Sequence, residues 1–443
     1  MVKQQDIIKK AFLLFDYMIL VVGAITDLWY IQFFAFAIFI LFVALSNVRG
    51  GVALVMAMVP NIAVMSLSSI GLLGLAFVVL LIKLSANQHY GIHVKPIVLI
   101  ILAYLLTLTA TRLFNNNYYD FALMIQVAVV VITWTSLLKK SASEDAFLYI
   151  DYFRYGCLLM SLGMLVSYPF EAEPIGRLKA VLDDCNYTGA VMCVLLAVSL
   201  LTYCYKLPLK NNMFYMAVAV IMGLTTGSRG FILSTAVILV LLLLTKSFGK
   251  RSARIVILTL FLMAVVYGLY LYGFSSITTI YNNTIGRTID LQETHMEGDF
   301  MDATSGRSIL WAYYWDEALK DNDIFLWGRG FYNYFLEANG GFGLAAHNMY
   351  ISSIIGIGII ATVLVLLMYF SILKTNFFKR SQKINIAFSS IIIALLVNYF
   401  FLDGMLEIRL ITYHAIVALM MMIYKTKTIN INLHGKNSSV VER

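Results

Sequence analysis

The sequence predicts an all-α protein that crosses a membrane about 14 times. Of its 443 residues, 61% are hydrophobic and 13% are charged, whereas a soluble domain carries roughly 25% charged residues. Apolar runs as long as a membrane-spanning helix, about 20 residues, recur along the chain. One polar interval of roughly 70 residues interrupts them. We interpret it as a folded loop that carries a site, because connections of this length are functional or disordered and its aromatic content argues against disorder.

The apolar runs place individual spans. We predict them near 10–25, 28–46, 95–112, 118–138, 150–169, 187–206, 211–227, 229–246, 253–274, 347–373, 384–402 and 406–424. The interval from Gly51 to Leu84 is too long for one span. Arg49 and the connection from Lys83 to Lys95 share one side of the membrane only if this interval crosses twice, so we predict two short helices there.

This assignment divides the chain into four parts. Residues 1–274 hold transmembrane helices 1–11, 275–346 form a large extracytoplasmic loop that contains short helices, 347–424 hold helices 12–14, and 425–443 are a cytoplasmic tail. Both termini are predicted to be cytoplasmic. The net charge of +8 is spread through short loops, which favours membrane topology over nucleic-acid binding.

Lysine and arginine are distributed differently in this topology. Of 19 lysines, 17 fall inside, whereas seven of 13 arginines fall outside. The outer arginines are Arg112, Arg177, Arg229, Arg287, Arg307, Arg329 and Arg409. Because guanidinium binds phosphate or carboxylate through two parallel hydrogen bonds, the outer face is predicted to bind such an anion. The alternative is that these arginines pair with acidic residues of the loop.

Several outer arginines lie where a helix begins. Ser228 is predicted to cap the span that starts with Arg229, and Ser305 or Ser308 to cap an extramembrane helix that starts near Arg307 and ends near Lys320. A cation at a helix N-terminus is unfavourable unless an anion joins the free N–H groups. Arg177 precedes a span that Asn186 is predicted to cap. Asp183 and Asp184 are alternative partners for the Arg177 guanidinium.

The same loop carries an apolar stripe and a histidine. Trp311, Trp315 and Leu319 recur every four residues, which predicts a helix face that packs on the bilayer interface or on the spans. His347 opens the span after the loop, beside Asn348. We interpret His347 as a base, since its ordinary pKa near 6.5 suits proton transfer at neutral pH; the alternative is a helix cap. Glu293, His295, Glu297 and Asp299 could hold a divalent cation, but their irregular spacing favours a solvated acidic stretch, so no metal or cofactor is predicted.

These motifs, in this order, resemble a known family. The motifs are R-x-x-x-x-x-x-x-x-N-x-x-G (Arg177 to Gly189), T-G-S-R-G (Thr226 to Gly230), S-G-R-x-x-x-W (Ser305 to Trp311), W-G-x-G (Trp327 to Gly330) and H-N-x-Y (His347 to Tyr350). Together they are similar to the O-antigen ligase and O-antigen polymerase superfamily over the C-terminal two thirds. One departure is Asp184-Cys185-Asn186, where the family has a turn containing glycine or proline.

The resemblance implies a metal-independent glycosyltransferase of the bacterial plasma (inner) membrane, with an extracytoplasmic active site. Its donor would be a glycan linked to undecaprenyl pyrophosphate, and its product an O-antigen of lipopolysaccharide, a capsule or an exopolysaccharide. The expected residues are His347 as base, Arg177, Arg229 and Arg307 on the pyrophosphate, and Arg329, Trp327, Tyr332 and Asn348 on glycan or phosphate.

The expected activity is polymerisation of repeat units. One alternative is a ligase that transfers the finished glycan to a lipid core, and a second is a transporter or flippase for lipid-linked sugars. A transporter should show internal repeats and ionisable residues at the membrane midplane, which the sequence does not show clearly. Expected partners are membrane lipid and the flippase and chain-length regulator of the same pathway. No nucleic acid is expected.

Overall fold

The computed structural model describes residues 2–63, 72–111, 118–170, 178–181, 183–244, 307–330, 348–377, 382–400, 402 and 408–438. Side chains are described throughout these ranges except at 2–3, 72, 243–244, 307–309, 374–377, 382–387, 389 and 426–438. The described chain is all-helical, as predicted. Its helices are α1 (Val2–Ile25), α2 (Trp29–Leu45), α3 (Val48–Met58), α4 (Leu72–Ala86), α5 (Pro96–Thr111), α6 (Tyr118–Lys140), α7 (Ser143–Ser167), α8 (Cys185–Cys204), α9 (Asn212–Thr225), α10 (Arg229–Leu244), α11 (Arg307–Lys320), α12 (Asn322–Trp327), α13 (Met349–Phe377), α14 (Gln382–Asn398) and α15 (Ile408–Ser438).

Hydropathy placed the helices well. Every individually predicted span coincides with a helix except 253–274, which lies outside the described residues, and the interval from Gly51 to Leu84 holds two helices, α3 and α4. By length and composition, four described helices, α6, α8, α13 and α15, are able to cross a membrane, and several apolar helices are shorter. The total of 14 spans therefore stays a prediction.

Apolar side chains cover the outward faces as well as the core. Phe15, Phe34, Leu41 and Ile100 are all more than half exposed, although each lies in a helix whose opposite face is packed. A soluble protein rarely exposes such extended apolar surface. The protein is therefore a membrane protein whose outward-facing side chains suit contact with lipid.

The N-terminal helices pack around α3. All of its residues except Arg49 are buried, which is typical of a helix surrounded by other helices. Glycine permits the closest approach, because a Cβ on Gly156 of α7 would overlap the Ala57 backbone. Asn61 donates to the Gly156 carbonyl at 3.1 Å, and Lys10 of α1 forms an ion pair with Asp151 of α7 at 2.6 Å.

Polar contacts join the C-terminal helices to this core. The indole N–H of Trp134 in α6 donates to the Thr412 hydroxyl of α15 at 3.2 Å. Helix α10 packs along α14, where the Asn398 amide donates to the Ser234 hydroxyl at 2.6 Å and that hydroxyl donates to the Ala394 carbonyl at 2.9 Å. Because these polar groups are buried and paired, they fix the relative positions of the helices that carry the site.

Candidate functional site

The turn between α9 and α10 positions Arg229. Gly227 has φ of 60°, a left-handed conformation that favours glycine. The Ser228 hydroxyl accepts a hydrogen bond from the Phe231 N–H at 3.4 Å, so Ser228 caps α10 as predicted. Arg229 is the first residue of this helix and its side chain is partly exposed. The turn thus places a guanidinium in the first turn of α10, at the positive end of the helix dipole.

The N-terminus of α8 lies against this turn. The Ser228 hydroxyl donates to the Asn186 amide oxygen at 3.3 Å, and a Cβ on Gly189 would lie only 2.7 Å from the Ser228 Cβ. The prediction that Asn186 caps α8 is wrong. The cap is Asp184, whose carboxylate accepts from the Asn186 N–H at 2.6 Å, while the Asn186 side chain bridges the two helix N-termini.

The segment after Arg177 is hydrogen-bonded to α9 and to α8. The Leu178 N–H donates to the Thr225 carbonyl at the end of α9 at 3.0 Å, and the Ala180 N–H donates to the Thr188 hydroxyl of α8 at 3.0 Å. Arg177 itself lies outside the described residues. Its neighbour in the chain, Leu178, is thereby fixed next to the turn that carries Arg229.

A buried ion pair brings the N-terminus of α15 to the same place. The Arg409 guanidinium contacts both Asp183 carboxylate oxygens, at 2.5 and 3.3 Å, and lies over the Tyr187 ring at 4.5 Å. The sequence places Arg409 among the outer arginines, with acidic residues of the large loop as alternative partners; its observed partner, Asp183, lies just before α8 instead. Asp183 and Asp184, which we considered as partners of Arg177, therefore serve Arg409 and the α8 cap.

The N-terminus of α13 is capped by Asn348. Its amide oxygen accepts from the Tyr350 and Ile351 N–H groups at 3.1 and 3.3 Å, and the residue is almost fully buried. The Met349 N–H donates to the Tyr399 carbonyl at the end of α14. Capping is thus the role observed for Asn348, and its contact with substrate stays a prediction. His347, immediately before it, lies outside the described residues.

Helix α13 is broken near its first third. Gly358 has φ of 81° and ψ of 164°, and Gly328 and Gly330 of the W-G-R-G segment also have positive φ. The N–H groups of Arg329 and Gly330 donate to the Ile355 and Gly356 carbonyls at 2.8 and 2.9 Å. The W-G-R-G segment therefore donates hydrogen bonds to carbonyl groups at the break. In a membrane, backbone carbonyl groups must find such donors within the protein.

Helix α11 packs on the same part of α13. It runs from Arg307 to Lys320, as predicted. Ser308 therefore lies inside the helix and cannot cap it. Ser305 and the side chain of Arg307 lie outside the described residues. The side chains that contact α13 are Leu310, Tyr314 and Ala318, against Ile354 and Ile355.

The predicted stripe is therefore offset by one residue from the packing face. Trp311 borders the packed cluster, but Trp315 is 40% exposed and Leu319 is 53% exposed. Trp327, next to the W-G-R-G turn, is also 44% exposed, while the Arg329 side chain is partly buried. Tyr332 lies outside the described residues. Hence the structure fixes Arg329 and Trp327 beside the break in α13.

Three helix N-termini meet at this end of the bundle, and the α13 N-terminus is linked to them through the end of α14. Those of α8, α10 and α15 are joined by Asn186, Ser228 and the Asp183–Arg409 pair. The N-terminus of α13 is connected through Tyr399 and Asn398 of α14 to Ser234 of α10. Each helix N-terminus carries about half a positive charge. Together with Arg229, they form a region suited to an anion.

Comparison with known proteins identifies a family for part of the chain. Residues 214–366 match the family model described as O-antigen ligase, and this range contains the Arg229 turn, α11, the W-G-R-G segment, His347 and the break in α13. A comparison with curated proteins finds no significant match. The match contains four of the five motifs, from T-G-S-R-G to H-N-x-Y, and the Arg177 to Gly189 motif precedes it. The resemblance is confirmed over residues 214–366, which form a domain of the O-antigen ligase and O-antigen polymerase superfamily.

Proposed function

We propose that this protein is a membrane glycosyltransferase that polymerises oligosaccharide repeat units linked to undecaprenyl pyrophosphate. The reaction would take place at the outer face of the bacterial plasma membrane, and its product would be an O-antigen, a capsule or an exopolysaccharide. The observation that carries the proposal is the junction of the α8, α10 and α15 N-termini beside Arg229, which belongs to the segment that matches the O-antigen ligase family.

The chemistry requires stabilisation of a leaving group. A hydroxyl oxygen of the acceptor sugar attacks the anomeric carbon of the donor, and the bond from that carbon to the pyrophosphate oxygen breaks. The electron pair leaves with the undecaprenyl pyrophosphate. Because negative charge develops on this group in the transition state, fixed N–H dipoles and arginines lower the barrier. In our proposal, Arg177, Arg229 and Arg307 hold the pyrophosphate and supply this charge without a metal.

The acceptor hydroxyl must lose a proton, and we assign that proton to His347. The capping of α13 by Asn348 supports this assignment, because the cap fixes the backbone next to His347 at the end of the bundle that holds Arg229. Exposed aromatic rings suit stacking on sugar faces. Trp327, with Tyr332, would bind the glycan, and Arg329 would contact phosphate or glycan.

Polymerisation is favoured over ligation by the departure at α8. At Asp184-Cys185-Asn186 an aspartate cap stands where the family has a turn containing glycine or proline. Because polymerases are the more variable members of the superfamily, such a departure favours a polymerase. The flippase and chain-length regulator of the pathway would be its partners. The test is a gel of surface polysaccharide from a deletion strain. Single repeat units on the surface are the expected result, whereas accumulated lipid-linked polymer would assign the protein to ligation.

A further inference from the structure

A cavity of about 470 Å³ lies at the opposite end of the bundle. It opens between the connection before α5, the last turns of α6 and the later part of α13. Its lining includes Ser371, which follows the break at Gly358 by 13 residues of α13, so the cavity lies roughly 20 Å along the helix from that break at 1.5 Å per helical residue. The cavity is therefore separate from the pyrophosphate site.

Cationic and titratable side chains line this cavity. They are His93, Lys95 and Lys139, and no carboxylate is among its described lining residues. The Lys95 ammonium donates to the Ser371 carbonyl at 2.9 Å, which joins two walls. The backbone N–H of His93 donates to the Ser136 hydroxyl at 2.9 Å, which fixes the connection before α5 against α6. The positive groups are thus held close together by the fold.

The charge balance of the cavity favours an anion. Desolvation, followed by the nearby positive charges of Lys139 and Lys140, lowers the pKa of His93. The smaller, electrostatic part of this shift places the positive charges of Lys139 and Lys140 near the imidazole. A phosphate group bound among these side chains would offset the repulsion, because lysine binds phosphate as a compact positive charge.

The remaining lining is apolar. Ile92, Val94, Leu138 and Ile372 contribute to the walls, and α6 and α13 are two of the helices that are long and apolar enough to cross a membrane. The basic side chains therefore lie at the ends of apolar helices, which is the depth of phospholipid headgroups. Basic pockets between membrane helices suit anionic headgroups of this kind.

We propose that this cavity binds the phosphate headgroup of an anionic phospholipid, with Lys139 as a principal contact and an acyl chain along Leu138 and Ile372. The site lies away from the glycan chemistry and does not depend on it. Its ligand is a structural lipid of the surrounding membrane rather than the donor.

The experiment uses the purified full-length protein in nanodiscs of phosphatidylcholine, with and without phosphatidylglycerol. Native mass spectrometry of the released protein counts retained phosphatidylglycerol. Lys139→Ala is compared with Lys210→Ala, an exposed lysine of the connection between α8 and α9 that does not line the cavity. We expect Lys139→Ala to bind phosphatidylglycerol about fivefold more weakly, since a lysine near an anionic lipid contributes about 1 kcal/mol. Lys210→Ala should bind as the unmodified protein does.

Two results would overturn the proposal. One is equal loss of phosphatidylglycerol in both variants, which would reduce the effect to general surface charge. The other is stabilisation of the protein by inorganic phosphate in pure phosphatidylcholine discs, with no preference for phosphatidylglycerol. That outcome would assign the cavity to a free anion instead of a lipid.

Discussion

Gly328 and Gly358 lie backbone against backbone, so that a Cβ on Gly328 would stand 2.6 Å from the Gly358 nitrogen. Both residues have positive φ, 70° and 81°. Hydrogen bonds from the Arg329 and Gly330 N–H groups run beside this contact. The W-G-R-G segment is thereby locked onto the break in α13, the helix that begins directly after His347 and Asn348.

Gly358→Ala should release this segment. The new Cβ would overlap the Leu326 carbonyl, and a non-glycine residue at positive φ adds about 1–3 kcal/mol of strain. We expect lower thermal stability of the purified protein and loss of polymer synthesis. Gly74→Ala is the control, because the nearest atoms to its Cβ belong to the adaptable Gln126 side chain. Equal melting temperatures and activities in the two variants would contradict the proposed lock.

The Asp183–Arg409 pair should be the strongest ionic contact at the site. Both side chains are about 5% exposed, and removing one partner of a buried pair costs about 3–5 kcal/mol. Asp183→Ala is therefore expected to destabilise the protein by that amount in denaturant titrations. Glu317→Ala breaks the exposed Glu317–Lys320 pair, for which about 0–1 kcal/mol is expected. Similar effects from both substitutions would show that the buried pair does not hold α15 to α8.

The positions of the helices could be predicted from the sequence because apolar runs of membrane length are a strong, local signal. The α10 cap was also predictable, because Gly227 and Ser228 stand directly before the apolar run that forms α10. The residue that caps α8 was harder to predict. Asp184 and Asn186 are both good capping residues, and only the contact of Asn186 with Ser228 decides between them.

Contacts between distant segments could not be predicted. Asp183 and Arg409 are 226 residues apart in the chain, and no local pattern links them. The tryptophan stripe of α11 was predicted to face the bilayer interface or the spans. The face that packs on the spans is the adjacent one, Leu310, Tyr314 and Ala318, which repeats with the same period. Glycine is common in membrane helices, so Gly358 did not by itself indicate a break.

Reporter fusions test the predicted topology. A reporter placed after about Asn339 should be active only outside the cytoplasm, and one placed after about Gln382 only inside, since α13 lies between these points. Alkaline phosphatase and a fluorescent protein report the two sides. Both fusions on the same side would contradict the 14-span arrangement and the extracytoplasmic loop.

Arginine geometry at the site is tested by charge-conserving substitutions. Arg229→Lys and Arg307→Lys should each lose most polymer synthesis at normal protein abundance, because an ammonium cannot make the paired hydrogen bonds of a guanidinium. Arg49→Lys is the matched control, since Arg49 forms a surface ion pair with Asp145 in the N-terminal half. Retained activity in both site variants would reduce these arginines to topology or ion pairing.

The most direct test of the proposed mechanism is synthesis of polymer by purified protein from an undecaprenyl-pyrophosphate-linked repeat unit. The unmodified protein should release undecaprenyl pyrophosphate and form polymer, with no effect of a chelator. His347→Ala should slow this reaction about 100- to 10,000-fold while donor binding is retained, because the arginines hold the pyrophosphate. His89→Ala, at an exposed position in the connection after α4, should react normally. Polymer of ordinary length at an ordinary rate from His347→Ala would contradict the mechanism and move the search for the base to Asp290 and Glu337.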